Sequence, residues 1–276
     1  MGLWLTTACT GPSPGGCADD ADACVPAEAP AEGPPRTWAS DEAVSHLAEA
    51  LGHGIPDPTG LAEAYTRALL GGDSECPRFL DASGAVWAAE CTAASGWSYS
   101  GTSLYTDERT ETARSLRMTA SFTVTDAEGD PFRGGGEVLY ESASAAGATE
   151  WSGQVGGVFA WSGEAGWLGE ARGEALFLEG ASDGTSRSLR LDGGVEYASA
   201  TISFSGLSVD TATCAGDAPV DAPATLQVRD PGGAWFTLDL PGDCTGCGEL
   251  WFGAEALGPA CVPLAGLLEI PMAEAE

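Results

Sequence analysis

The chain has 276 residues, long enough for one large domain with a sizeable core, and sets 41 Asp and Glu against 11 basic residues, all arginine, for a formal net charge of −30. So few cations exclude a nucleic-acid-binding role, which rests on Lys and Arg neutralising phosphates, and electrostatic adsorption to an anionic membrane surface. Asparagine is absent, which excludes N-linked glycosylation.

Residues 2–9 read Gly-Leu-Trp-Leu-Thr-Thr-Ala-Cys. Ala8 followed by Cys9 resembles the end of a bacterial lipoprotein signal peptide, where a small residue precedes the cysteine that receives lipid. Thr6 stands where that family usually has an aliphatic residue, and Leu5 comes one place early. The resemblance implies that residues 1–9 are the remnant of a lipoprotein signal and that Cys9 is the lipid anchor. Residues 10–36 come next, rich in Pro, Gly, Ala, Asp and Glu and nearly free of bulky apolar side chains. Such a stretch cannot bury enough surface to offset its ordering entropy and is expected to be a disordered acidic tether.

A short helical segment is expected over 37–75, packed on the β domain; it comprises two short N-terminal helices. Ser40 is the expected cap of the first, with Val44, Leu47, Ala48 and Leu51 on one face and Gly52 as terminator. Asp57-Pro58 reads as an N-cap followed by proline at the first helical position, and Leu61, Ala64, Tyr65, Ala68 and Leu69 share a face.

From about Cys76 the hydrophobic period changes to two, and an antiparallel β domain is expected over 76–271. The clearest run is 116–125, where Leu116, Met118, Ala120, Phe122 and Val124 alternate with Arg, Thr and Ser. Turn signals recur at 126–131, 143–148, 163–166, 182–184, 192–194 and 230–233, with strand-like segments between them. The fold class is therefore mainly β: an antiparallel meander of about ten strands, closing into a barrel or sandwich, with disulfide staples. Residues 272–276 form an acidic tail. No apolar run approaches the ~18 residues of a membrane helix.

Nine cysteines are an odd number for an exported chain. Lipidation of Cys9 leaves eight, and local geometry pairs Cys17 with Cys24, Cys76 with Cys91, Cys214 with Cys244, and Cys247 with Cys261. Cys76 and Cys91 flank Phe79-Leu80 and Val86-Trp87 around a turn at 81–84. Cys214 and Cys244 bracket the hairpin turning at 230–233, and Cys247 and Cys261 are symmetric about Ala254. Disulfides point to an oxidising compartment, here the cell envelope, periplasmic or surface-exposed. A redox dithiol at Cys244-Thr-Gly-Cys247, or zinc on the four C-terminal cysteines, is the competing reading.

Other motifs are weak. Gly-x-Ser-x-Gly occurs around Ser13 and Ser182, but Ser13 sits in the Pro-rich tether, and Ser182 sits in a hairpin turn with no histidine after it. His46 and His53 lack a third ligand. Asp126, Glu128 and Asp130 alternate as calcium ligands do, and Asp19, Asp20 and Asp22 lie between Cys17 and Cys24. A hairpin turn with Gly129 and Pro131 explains the first group without calcium. No residue stands out as catalytic, and no cofactor is required; calcium on Asp126, Glu128 and Asp130 is the one candidate. The leading expectation is a lipid-anchored envelope protein with a non-enzymatic binding or structural role, touching the membrane through its anchor only and meeting a protein or glycan partner. Two alternatives stay open: an envelope hydrolase using carboxylates on a carbohydrate, and a thiol redox protein using Cys244 and Cys247.

Overall fold

The computed structural model describes residues 34–52, 55–80, 86–161, 170–197, 200–214, 220–264 and 267. Cys9, Ser13, the Cys17–Cys24 loop with Asp19, Asp20 and Asp22, His53 and the 272–276 tail lie outside the described residues. Two helices come first, α1 (Ser40–Gly52) and α2 (Pro58–Leu69). The strands are β1 (Val86–Thr92), β2 (Ser98–Arg109), β3 (Ala113–Thr125), β4 (Pro131–Ala145), β5 (Ala148–Trp161) and β6 (Glu170–Ser182). They continue as β7 (Arg187–Tyr197), β8 (Thr201–Asp210), β9 (Ala224–Arg229), β10 (Trp235–Leu240), β11 (Cys247–Phe252) and β12 (Glu255–Cys261).

The expectation of N-terminal helices is corrected: the two helices do not stand at the N-terminus of the chain but begin only at Ser40 and lead directly into the sheet. Ser40 is the first helical residue rather than the cap. Glu42 accepts the Ala39 N–H at 2.7 Å, one half of a capping box in which the Ala39 side chain has no acceptor to contribute. Helix α2 starts as its sequence suggests: Asp57 Oδ1 accepts the Gly60 N–H at 2.8 Å and Pro58 takes the first position. Its buried face, Leu61, Ala64, Tyr65 and Ala68, packs on β4 and β5. Two hydrogen bonds lock that face to the sheet. Trp87 Nε1 donates to Tyr65 Oη at 2.8 Å, and Tyr99 Oη donates to the Ala68 carbonyl at 2.8 Å.

All twelve strands form one antiparallel sheet in sequence order, β1 through β12. Strand β3 shows why: Leu116, Met118, Ala120, Phe122 and Val124 point to the buried side, and each large one stabilises by about 1.5–3 kcal/mol. One hydrophobic cluster draws buried residues from β1 to β11 and from both helices, so the sheet curls around α1 and α2. Barrel closure, expected from strand number, does not occur. Among the described residues β1 pairs only with β2 and β12 only with β11. The free side of β1 is occupied by the preceding segment: Leu80 N–H donates to the Val86 carbonyl and Ala88 N–H to that of Arg78. At the other edge β12 carries Pro259, which has no N–H to give a ladder.

One local reading is corrected. Asp192-Gly193-Gly194 is not a turn, because β7 runs through it; the register shifts between Leu191 and Gly193, Gly193 has φ +110°, and Asp192 accepts the Gly206 N–H at 2.7 Å. The Asp-Gly-Gly signal therefore builds a bulge. Strand β2 is the long element that periodicity does not announce, since only Tyr99 and the polar Ser103 are buried along it and Gly101 between them is exposed.

Three disulfides join Cys76 to Cys91, Cys214 to Cys244, and Cys247 to Cys261. These are the pairings expected from hairpin geometry, and they point to a non-cytoplasmic, oxidising compartment. Cys244 and Cys247 bond to different partners, so their Cys-x-x-Cys spacing forms no redox dithiol. The same bridges use all four cysteines that a zinc site would need.

Candidate functional site

The turns β2–β3, β4–β5 and β6–β7 gather at one end of the sheet, here the upper end. The turns β3–β4, β9–β10 and β11–β12 lie at the lower end. Near the upper end, residues of β2 to β8 line an open trough of about 840 Å³. Strand register builds it. One row across the sheet runs Ser115, Glu141, Ser152, Glu179, Arg190 and Ser208, each directly opposite the next. The row above it runs Ala113, Ala143, Glu150, Ala181 and Ser188. Alanine and serine leave the backbone almost bare, while Glu108, Glu141, Glu150 and Glu179 rise around it. Arg190 lies across from Glu179, yet its Nε bonds to Asp192 at 3.0 Å. The trough thus combines four carboxylates and Arg190 with small residues and with Arg114, Trp151 and Leu189.

Arg114, Trp151 and Gly180, which alternate with that row along the strands, also line the trough and are tightly packed. Trp151 is 6% exposed and lies under Gly180, where an added Cβ would fall inside contact distance of the indole. Its ring stacks on Tyr140 at 6.0 Å, and Arg114 sits 5.7 Å over the Tyr140 ring. Arg114 in turn grips Asp107 with two bonds of 2.8 and 3.0 Å, joined by Arg109 at 2.9 Å. Burial pushes the Asp107 carboxyl up, but the two guanidinium groups pull harder and bring it down to about 2. This fixed layer holds the trough floor in shape.

A second feature sits at the lower end. Residues 35–38 are clamped to the β9–β10 turn, so closely that a Cβ on Gly232 would lie 2.8 Å from Thr37 Cγ2. Asp230, 4% exposed, accepts the Thr37 N–H at 2.6 Å, the Thr37 hydroxyl at 2.8 Å and the Ala234 N–H at 2.7 Å. Trp38 then stacks on His46 at 4.3 Å and packs against Phe236. The place where the 10–36 segment enters the domain is therefore fixed, and it lies at the end opposite the trough.

The residues singled out from sequence are not brought together. Ser182 closes β6, and His46 stands beside Glu49 on α1, with Nδ1 3.5 Å from the carboxylate. Asp126 Oδ1 accepts the Glu128 and Asp130 N–H groups at 3.0 and 2.8 Å, which makes that segment a self-satisfied turn at the lower end. Among the described residues no group of three or more His, Cys, Asp or Glu is arranged to hold a metal ion. The trough glutamates were anonymous among 41 acidic residues in the sequence. Glu141 and Glu150 fell in segments that read as strands, whereas Glu108 and Glu179 did not, and the alignment of all four needed the register. Comparison with protein-family models, with curated proteins and with solved structures returns no match to this chain.

Proposed function

We propose that this is an exported envelope protein, anchored by lipid on Cys9, whose β domain binds a protein or glycan partner in the trough without catalysing a reaction. The observation that carries the reading is the opposition of clamp and trough. A chain anchored through residues 10–36 enters the domain at the lower end, pinned by Asp230, and the trough opens at the upper end, away from the point of attachment. Three disulfides suit a domain that works in an oxidising space. The acidic, small-residue lining suits recognition by polar and charged contacts.

A second reading has one foothold. Glu141 and Glu179 flank Ser152, two strands apart, or about 9.6 Å between their backbones at the usual strand spacing. Two carboxylates in one row with a single strand between them are the kind of pair that carboxylate-based glycoside hydrolysis uses. Two experiments test the proposal. Full-length protein expressed with an envelope export pathway should incorporate radiolabelled fatty acid and fractionate with membranes, and Cys9→Ser should do neither. An unmodified chain beginning at Met1 and recovered from the cytosol overturns the anchor. Hydrolysis of a polysaccharide panel that is lost in Glu141→Gln or Glu179→Gln overturns the non-enzymatic role in favour of the hydrolase.

A further inference from the structure

Apart from the trough, we propose a second binding site, on the face of β8 to β11 that is turned away from the core at the lower end, and that its ligand is a short chain of neutral sugar rings. Burial alternation defines the face. Phe236, Leu238 and Leu240 are buried along β10, so Trp235 and Thr237 point the other way. Register builds two rows around them. One runs Ser203, Gln227, Thr237 and Trp251, each directly opposite the next, and the row below it runs Thr201, Arg229 and Trp235. Packing accounts for neither tryptophan. Trp235 is 37% exposed. Trp251 is half-buried, yet its Nε1 is fully buried and has no hydrogen-bond partner among the described residues. An indole N–H without an acceptor is a cost that phenylalanine would avoid at this position. The core Trp87, by contrast, donates to Tyr65. Trp151 also lacks an acceptor, but it is 6% exposed and stacked on Tyr140, where packing accounts for it. Large aromatic surface placed against the interest of stability marks a functional position.

The chemistry of the two rows selects the ligand. A sugar ring has faces of C–H groups, which lie against aromatic rings, and edges of hydroxyls, which need donors and acceptors. The rows offer both, already ordered. Gln227 Nε2 donates to Thr237 Oγ1 at 3.1 Å, and the Arg229 guanidinium stands 5.9 Å from the centre of the Trp235 ring. From β8 to β11 neither row carries a carboxylate, in a chain whose net charge is −30, so the site offers nothing to a cationic peptide that the rest of the surface does not offer more strongly. Spacing adds a constraint. Trp235 and Trp251 are diagonal neighbours on β10 and β11, about 7–8 Å apart at the backbone, so two rings of one chain each meet an indole. The three strand spacings from β8 to β11 span about 14 Å, room for an oligosaccharide rather than a single sugar.

The probes are short neutral oligomers of β-linked glucose, α-linked glucose and β-linked N-acetylglucosamine, titrated into the full chain by calorimetry and followed by tryptophan fluorescence. At least one should bind and change the emission. Trp235→Ala should weaken that binding about tenfold and Gln227→Ala about fivefold. Phe177→Ala, which removes an exposed aromatic ring from a distant strand, should leave affinity unchanged. Trp251→Phe keeps a ring and removes the unbonded N–H, so it should weaken binding while the melting temperature stays equal or rises. A lower melting temperature with unchanged affinity makes Trp251 a packing residue and overturns the inference. Thermal melts of the other variants establish folding, which these positions off the core leave intact. Failure of all three sugars to bind also overturns it, as does tighter binding of an uncharged Ser/Pro peptide. A loss in Glu141→Gln/Glu179→Gln equal to that in Trp235→Ala places the sugar in the trough, which overturns the second site while the reading of the trough stands.

Discussion

Replacing Asp230 by alanine tests whether the clamp at the lower end is built as described. The substitution removes the acceptor of four donors: the Thr37 N–H, the Thr37 hydroxyl, the Ala234 N–H and the Trp38 N–H; the figures that follow count the first three. Ala234 is buried, and a buried donor left without a partner costs about 1–3 kcal/mol. Thr37 is exposed, so water replaces its two bonds, at about 0.5–1 kcal/mol each. The total is about 2–5 kcal/mol, with a centre near 3. At about 2–4 °C per kcal/mol for a domain of this size, the melting temperature should fall by roughly 6–12 °C. Calorimetry gives the shift, and amide hydrogen exchange should show Thr37 and Ala234 losing protection before the rest of the sheet. The pH dependence has a definite sign. Burial pushes the Asp230 carboxyl up, but the Thr37 and Ala234 N–H groups, the Thr37 hydroxyl and the Trp38 N–H outweigh it and hold it below the ordinary 3.8. The clamp is therefore fully present above that ordinary value and is lost as pH falls through the lower folded-state value. A melting shift under ~2 °C with unchanged exchange at Thr37 and Ala234 would refute the reasoning.

Three further outcomes are expected. Cys76→Ala/Cys91→Ala opens a loop with a sequence separation of 15, worth about 3 kcal/mol in chain entropy, and uncovers the β1 edge; urea titration should show the loss. Arg114→Gln removes two bonds to Asp107, whose carboxyl then titrates above its present value of about 2; the variant is less stable at neutral pH, and the part of acid destabilisation that comes from Asp107 between about 3.8 and 2 becomes smaller, which carboxyl titration by NMR and melts at several pH values read directly. Gly180→Val drives side-chain atoms into the Trp151 indole and should cost about 1–3 kcal/mol, with a changed near-ultraviolet dichroism signal from that tryptophan.

What the sequence determined by itself was local. The alternation of Leu116, Met118, Ala120, Phe122 and Val124 specified a strand with one buried face, because side chains on a strand alternate whatever the strand pairs with. Asp57-Pro58 specified a helix start through a side-chain acceptor and a fixed φ, both properties of two residues. The cysteine pairs followed from short hairpins, where a turn alone brings partners together. Tertiary structure decided what depends on distant neighbours. Strand β2 hid its pattern because one of its two buried residues is the polar Ser103, covered by other elements of the fold. Asp192-Gly193-Gly194 carries the same local signal as a turn, and only its partner strand β8, through Gly206, makes it a bulge. Closure failed because residues 78–80 occupy the β1 edge, a competition for hydrogen-bonding groups that no single segment expresses. The trough belongs to the same class. Glu141, Glu179 and Arg190 lie up to 49 residues apart in sequence and become neighbours only because antiparallel register stacks β4 through β7, and register is set by the summed fit of every pair along those strands.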